Sequence, residues 1–185
     1  GGLLWRGTKA GFPLRGGPSP PPAVDRGRSA PGAAPGASDR ARWLDGGMEI
    51  TAALDYVRQH QRGVLLTIKA DGRPQASNIM YAVGDDGVVR ISATADRAKS
   101  ANARRDPRVS LHVTAEDFWS YVVLEGDADV TPTAAAPDDA TVDELVELYR
   151  SLSGEHEDWD DYRAAMVRDG RLVIRITPTH AYGMA

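Results

Sequence analysis

The sequence predicts a mostly β protein: an antiparallel barrel of hairpin-linked strands with a few α-helices packed outside it. Three observations carry that expectation. Between residues 63 and 130 five branched or alternating runs follow one another, several with the two-residue period of half-buried strands. Asp/Gly turns and one short basic segment separate most of these runs, which leaves little room for the crossover helices of a parallel sheet. Beyond residue 140 the apolar period becomes helical, and a last branched run follows at 171–177.

In chain order, residues 51–61 put Ala53, Leu54 and Val57 at helical spacing, with Gly63 as a C-terminal stop. Residues 63–70 read as a first strand. Asp71-Gly72 reads as a hairpin turn of the primed type, which needs positive φ. The return strand is 74–83, and Gly84-Asp85-Asp86-Gly87 turns the chain again into a strand at 88–94. There Val89, Ile91 and Ala93 alternate with Arg90, Ser92 and Thr94, so these three strands are expected to form a meander. A basic helix follows, stopped by Pro107, then strands at 109–115 and 118–130. Thr141 and Glu144 fit a capping box ahead of the stripe Val142, Leu145, Val146, Tyr149 and Leu152, and Gly154 closes that helix. A further helix at 156–168 carries Trp159, Tyr162 and Met166 on one face.

Composition divides the chain at residue 47. Residues 1–47 hold seven of the twelve prolines and eleven of the nineteen glycines, too few core residues to offset their ordering entropy, and are expected to be a disordered extension. The first methionine is Met48, so a mis-set start is the blander origin of that extension. Residues 48–185 form one domain. The extension carries seven cations against three carboxylates, so a chain of net charge −4 leaves −8 on the domain. Such a body is ill suited to general nucleic-acid binding, which phosphate contacts dominate. No run approaches the roughly 18 apolar residues of a membrane span, and a soluble, cytoplasmic protein is expected. With no cysteine, disulfides, zinc-thiolate sites and cysteine catalysis are excluded.

Phosphate-loop, dinucleotide-fold, nucleophile-elbow and zincin motifs are all missing, and the four histidines are scattered. The acidic run Glu155, Glu157, Asp158, Asp160 and Asp161 reads as carboxylates at a helix N-terminus, with no metal expected. Chemistry concentrates instead at 96–108. Five cations, Arg97, Lys99, Arg104, Arg105 and Arg108, there face Asp96 and Asp106. Basic side chains and free helix amides just after a strand suit an anion, a phosphate above all. A solvated basic helix explains the same charges. Lys99 and Asn102 share a helix face, and Arg97 precedes them.

The order of the motifs narrows the reading. Gly63-Val64-Leu65-Leu66-Thr67, then Asp71-Gly72-Arg73-Pro74-Gln75-x-Ser77-Asn78, resembles the opening of the pyridoxamine 5′-phosphate oxidase-like (PPOX class) split β-barrels. Similar to that family too are Arg97-Ala98-Lys99-Ser100-x-Asn102, Arg105-Asp106-Pro107-Arg108, Trp119-Ser120-Tyr121 and Glu125-Gly126. The block Ala136-Pro137-Asp138-Asp139, Leu148-Tyr149-Arg150 and Gly154-Glu155-His156-x-Asp158-Trp159-Asp160-Asp161-Tyr162-Arg163 resembles the actinobacterial branch that uses the deazaflavin coenzyme F420.

The resemblance, over about 51–183, implies a homodimer of FMN-binding-type antiparallel split β-barrels with flavin-type cofactors in clefts between the subunits. It implies that Arg97 and Lys99 hold the cofactor phosphate, and that Pro74, Gln75 and Asn78 of one strand lie along the ring together with Ser92. Asn102 would add a polar contact and Trp119 would wall the cleft. The ring strand would then neighbour the Ser92 strand in the meander. FMN-binding members often surround the phosphate with more basic or hydroxyl groups than the two cations named here. No pyridoxamine phosphate site can be assigned, which disfavours that activity. The implied function is hydride transfer between reduced F420 and a small organic acceptor, the cofactor carrying the reactivity, so no catalytic residue is assigned. The alternatives are an FMN-dependent reductase on the same scaffold and a non-catalytic F420-binding or storage protein.

Overall fold

The computed structural model describes residues 47–184; the disorder and mis-set start expected of the N-terminal extension concern residues outside that range. Among the described residues four helices and seven strands follow in the order α1 (Ile50–Arg58), β1 (Arg62–Ile68), β2 (Pro74–Met80), β3 (Ala82–Val83), β4 (Val89–Thr94), α2 (Ala98–Arg105), β5 (Arg108–Thr114), β6 (Tyr121–Val130), α3 (Ala140–Ser153), α4 (Trp159–Arg168) and β7 (Arg171–Met184). All strands join one antiparallel sheet in the order β2-β1-β5-β6-β7-β4-β3. The sheet curls until β2 touches β4, giving the split barrel that the fold class anticipated.

Inward-facing Leu65, Ile91, Leu111, Leu124, Ile174 and Ile176 fill the barrel, and α1 adds Ala53, Leu54 and Val57 to the same core. A second apolar layer lies outside, where Val142, Leu145 and Val146 of α3 meet Tyr162 and Met166 of α4 over Val173 of β7. The Tyr162 hydroxyl donates to the Leu145 carbonyl at 3.1 Å, and burial pushes its phenol up to about 12.

The meander does not form as expected. β1 and β2 pair as a hairpin, but β4 pairs with β3 and β7, at the far side of the sheet from β2. The return run breaks at Tyr81, which is fully buried and donates its hydroxyl to the Val57 carbonyl at 3.0 Å. That anchor takes the chain out of the β1–β2 ladder and delivers it to the opposite edge. The partner that β4 lacks arrives last in sequence. β7 runs from Arg171 to Met184, longer than the expected 171–177, and pairs with β4 through its first half and with β6 along most of its length.

Smaller departures have local causes. The β1–β2 turn has only Gly72 at positive φ, with Lys69 and Arg73 closing a three-residue loop; it is a type I turn with a bulge, not the primed turn. α1 ends at Arg58, and Gly63 lies inside β1, where a Cβ would stand 2.8 Å from the His112 carbonyl. β6 begins at Tyr121, not at 118, because the Asp117 carboxylate accepts the N–H groups of Trp119 and Ser120 and holds those residues in a turn. The cap of α3 is Asp139, which accepts from the Val142 amide at 2.8 Å; the expected capping-box residues do other work. Thr141 donates to the Pro132 carbonyl, and Glu144 points at the sheet. α4 starts at Trp159, with Asp158 as cap and Asp160 and Asp161 in its first turn, as the helix-terminus reading of the acidic run required.

Glu144 fastens the outer layer. Its carboxylate lies 2.9 Å from Arg90 on β4 and 2.6 Å from Arg175 on β7, while Arg90 also holds Asp86 and Arg175 holds Asp129. Burial alone would raise the Glu144 pKa, but Arg175 and then Arg90 outweigh it and hold the carboxyl below its usual range. Arg90 likewise draws Asp86 down to about 2. Folded pKa values below the unfolded ones mean that this stabilisation is fully present above pH about 4–5 and is lost as pH falls toward 2. Glu144→Gln is expected to cost about 2 kcal/mol at pH 7, less than a fully buried pair because both arginines reach water. The deficit should shrink below pH 4, as urea melts of both proteins across that range will show.

Candidate cofactor-binding site

α2 is set by β4. The Ser100 hydroxyl donates to the Thr94 carbonyl at 2.9 Å, the Ala95 amide reaches the Gly170 carbonyl at 3.0 Å, and Ala103 is buried beneath the helix. The helix starts at Arg97 without a side-chain cap. Its first turn therefore presents backbone N–H groups beside the basic side chains.

Lys99 is half-buried there. Burial, then Arg97 and Arg171, lower the pKa of its ammonium, and among the described residues it has no ion pair. Arg171 opens β7 opposite Thr94, is 8 % exposed, and points a guanidinium nitrogen at the Ser92 hydroxyl 3.4 Å away. Its other terminal nitrogen is 3.9 Å from Asp169, and exposed Arg97 is 4.0 Å from Asp96. Arg97 and Arg171 both act on the Lys99 charge, so three cations neighbour one another at the start of α2. Such a cluster is favourable when an anion joins it.

The other flank of α2 faces the β1–β2 hairpin. Asn102 is buried and donates from Nδ2 to the Thr67 hydroxyl at 3.1 Å and to Gln75 Oε1 at 3.2 Å. The Asn102 oxygen accepts from Arg105 at 3.1 Å, and Arg105 also donates to the Ile68 carbonyl. Gln75 Nε2 donates to the Ser77 hydroxyl at 2.8 Å.

The residues singled out from sequence therefore fall into groups. Lys99 lies close to both Arg97 and Arg171, and Arg171 reaches Ser92, while Asn102 and Gln75 join through Thr67 on the other flank. Pro74 and Asn78 belong to neither, because they lie on the exposed face of β2, opposite to Gln75 and Ser77. Trp119 sits 77 % exposed on the β5–β6 turn, with its ring edge-on to Phe118. Ser92 and the β2 residues are not on neighbouring strands, and only the curl of the sheet brings β2 against β4. Sequence reasoning missed Arg171, Arg105, Thr67 and Ser77. Arg171 becomes visible only through the β4–β7 pairing, 77 residues apart at Thr94 and Arg171. The buried Thr67 alone had a local signal, as a hydroxyl at an inward strand position.

A separate groove of about 730 Å³ lies between β3, β4 and α3, but its three cations are already matched: Arg90 with Asp86 and Glu144, Arg175 with Glu144, and Arg163 with Asp143. Its arginines already face carboxylates, so the α2 cluster, where Lys99 has no ion pair among the described residues, is the stronger candidate for an anion.

Comparison with known proteins places this arrangement. Residues 50–185, nearly three quarters of the chain, match the family model described as pyridoxamine 5′-phosphate oxidase. The chain belongs to that family. Among solved structures, a conserved hypothetical protein of Mycobacterium tuberculosis is similar at 25 % identity and a TM-score of 0.58, over 74 % of this chain and 84 % of that one. A protein titled F420 reductase shares the fold at 24 % identity and a TM-score of 0.53, over 69 % and 94 % of the two chains. So does a FAD-binding protein of Mesorhizobium loti, at 19 % identity and a TM-score of 0.54, over 74 % and 93 %.

In this family member the Asn102 network is also structural. Asn102→Ala removes the donor to Thr67 and Gln75 and strips Arg105 of one acceptor, at an expected cost of about 2 kcal/mol. Arg105→Ala, which removes an exposed partner, should cost well under half of that. Denaturant midpoints of the two apo variants check the order.

Proposed function

We propose that this protein is an oxidoreductase that binds coenzyme F420 and passes hydride between the reduced coenzyme and a small organic acceptor. The observation that carries the reading is Lys99, half-buried between Arg97 and Arg171 without a carboxylate partner at the uncapped start of α2. The donor set suits a phosphate: two guanidiniums and an ammonium around helix amides, with the Ser92 hydroxyl beside them. Arg97, Lys99 and Arg171 would hold the phosphate, and β2 with Gln75 and Ser77 would border the ring. Family membership and the likeness to a protein titled F420 reductase support the choice of cofactor. The bound coenzyme supplies the redox chemistry; the chain's own residues bind it, orient it and shield it from water.

FMN is the second reading. Three cations, one more than the sequence revealed, also match the dianion of a phosphomonoester such as that of FMN. Titration of the purified protein with F420 and FMN side by side separates the two. In the better-bound case Lys99→Ala and Arg97→Ala should each raise Kd by roughly 10- to 100-fold, the worth of one charge-assisted hydrogen bond. Arg108→Ala, on an exposed residue paired with Asp106, should change it less than twofold. Equal, slight effects at all three positions would remove the phosphate from this site.

The reading extends to a homodimer with the cofactor cleft at its interface. Phe118 and Trp119 are more than two thirds exposed, and Tyr182 and Met184 lie at the same end of the β6–β7 ladder. A second copy that covers these four aromatic and thioether side chains would remove apolar surface from water. Sedimentation velocity at micromolar concentration is expected to show a dimer that Trp119→Asp weakens at least tenfold; a wild-type monomer with full cofactor affinity would refute the shared cleft.

A further inference from the structure

The hydrogen bonds on the β2 flank of α2 all run in one direction. Arg105 has only donors, so the atom of Asn102 that faces it is the amide oxygen. That choice fixes the Asn102 amide and aims Nδ2 at Thr67 and Gln75. Gln75 must then turn Oε1 toward Asn102, which it does, and Thr67 adds its own proton to the same oxygen at 3.3 Å. The Gln75 amide is in turn fixed, and its Nε2 donates to Ser77 Oγ at 2.8 Å. With that oxygen accepting, the remaining capacity of Ser77 includes a proton that no described residue takes. Ser77 sits half-exposed on the same face of β2 as Gln75.

We infer that Arg105, Asn102 and Gln75 form a polarised relay whose purpose is to hold the Ser77 hydroxyl as a hydrogen-bond donor toward the cofactor ring. The inference rests on the proposed function, in which β2 borders the ring. It adds Ser77 as a contact residue and Asn102 as a positioning residue acting through Gln75. A permanent cation at the far end biases every amide in the chain toward donation, and each donor polarises the next. Its terminus is a donor matched to the carbonyl oxygens of the pyrimidinedione edge that flavins and deazaflavins share. Sequence placed Gln75 at the ring directly; its own polar atoms are engaged instead with Thr67, Asn102, Ser77 and the Ala76 carbonyl.

Three substitutions interrupt the relay differently while leaving side-chain volume nearly intact. Ser77→Ala deletes the donor. Asn102→Asp keeps an oxygen toward Arg105 and replaces the Nδ2 donor by an acceptor, so the Gln75 amide turns over and its oxygen captures the Ser77 proton. Gln75→Glu places a carboxylate oxygen at Ser77 with the same result. Each is expected to raise the Kd of F420 or FMN, whichever the wild type binds, by roughly 3- to 10-fold, the worth of one neutral hydrogen bond. Each should also shift the visible absorption band of the bound ligand in the same sense. The double variant Asn102→Asp with Ser77→Ala should be no weaker than either single one, because both remove the same donor. Thermal melts of the apo proteins report folding separately, and Ser77→Ala and Gln75→Glu stand as tests if Asn102→Asp does not fold. Tight wild-type binding with unchanged affinity and spectrum in Ser77→Ala, or additive losses in the double variant, overturns the relay. A wild type that binds neither ligand overturns the proposed function and the relay with it.

Discussion

The fold depends on one strand having two partners. β7 enters last and lies between β6 and β4, so the β2-β1-β5-β6 part and the β4-β3 part of the sheet become continuous only when it docks. Its first four residues are all buried, because one face meets the barrel core and the other meets α3 and α4. A strand covered on both faces needs an unbroken apolar run, and 172–174 supplies it. The same docking puts Arg171 beside Ser92 and lets Gly170 receive the amide that follows β4. Closing the sheet and completing the cation cluster are one event. The pairing is also distant in sequence, so the loop-closure entropy is met late in folding.

What was legible follows from that distance. Local periodicity disclosed β1, β4, β5, both outer helices and the hairpin at Gly72, since each reflects contacts within a few residues. The strand order was not legible, because alternation says which residues face inward and nothing about which strand lies alongside. A meander was the shortest connection, and a single buried residue, Tyr81, overrides it by anchoring to Val57 of α1. The capping box failed for a related reason. Thr141 and Glu144 had the right spacing, but Asp139 was two residues nearer the true start, and Glu144 gained more from two guanidiniums than from a backbone amide.

The candidate site divides in the same way. Arg97, Lys99 and Asn102 were legible because a basic helix after a strand is a local pattern. Their roles were not. Asn102 stood three residues from Lys99 and was taken for a second hand on the same ligand, yet it turns under the helix toward Thr67 while Lys99 remains at the open end. In sequence Arg105 reads as one of five local cations, and its bond to Asn102 ties it into the buried hydrogen-bond network instead. Pro74 and Asn78 shared a strand with Gln75, but strand period alone puts them on its other face.

One short helix thus serves two chemistries. Lys99 and Asn102 are separated by three residues, a rise of about 4.5 Å, and one belongs to the cation cluster and the other to the polar relay. Ser100 between them is buried and tied to Thr94, and Ala103 is buried in the barrel core, so the helix cannot turn about its axis without breaking a buried bond and opening a void. A ligand that engages the cations with its phosphate meets β2 in a fixed relation, because both are referred to the same rigid turn. The rest of the domain carries a net negative charge and repels anions, which raises the contrast between this place and the surrounding surface. Under the proposed reading, recognition would depend on a single anionic group at a set distance from a hydrogen-bonding edge, and a polyanion lacking that edge would gain little here.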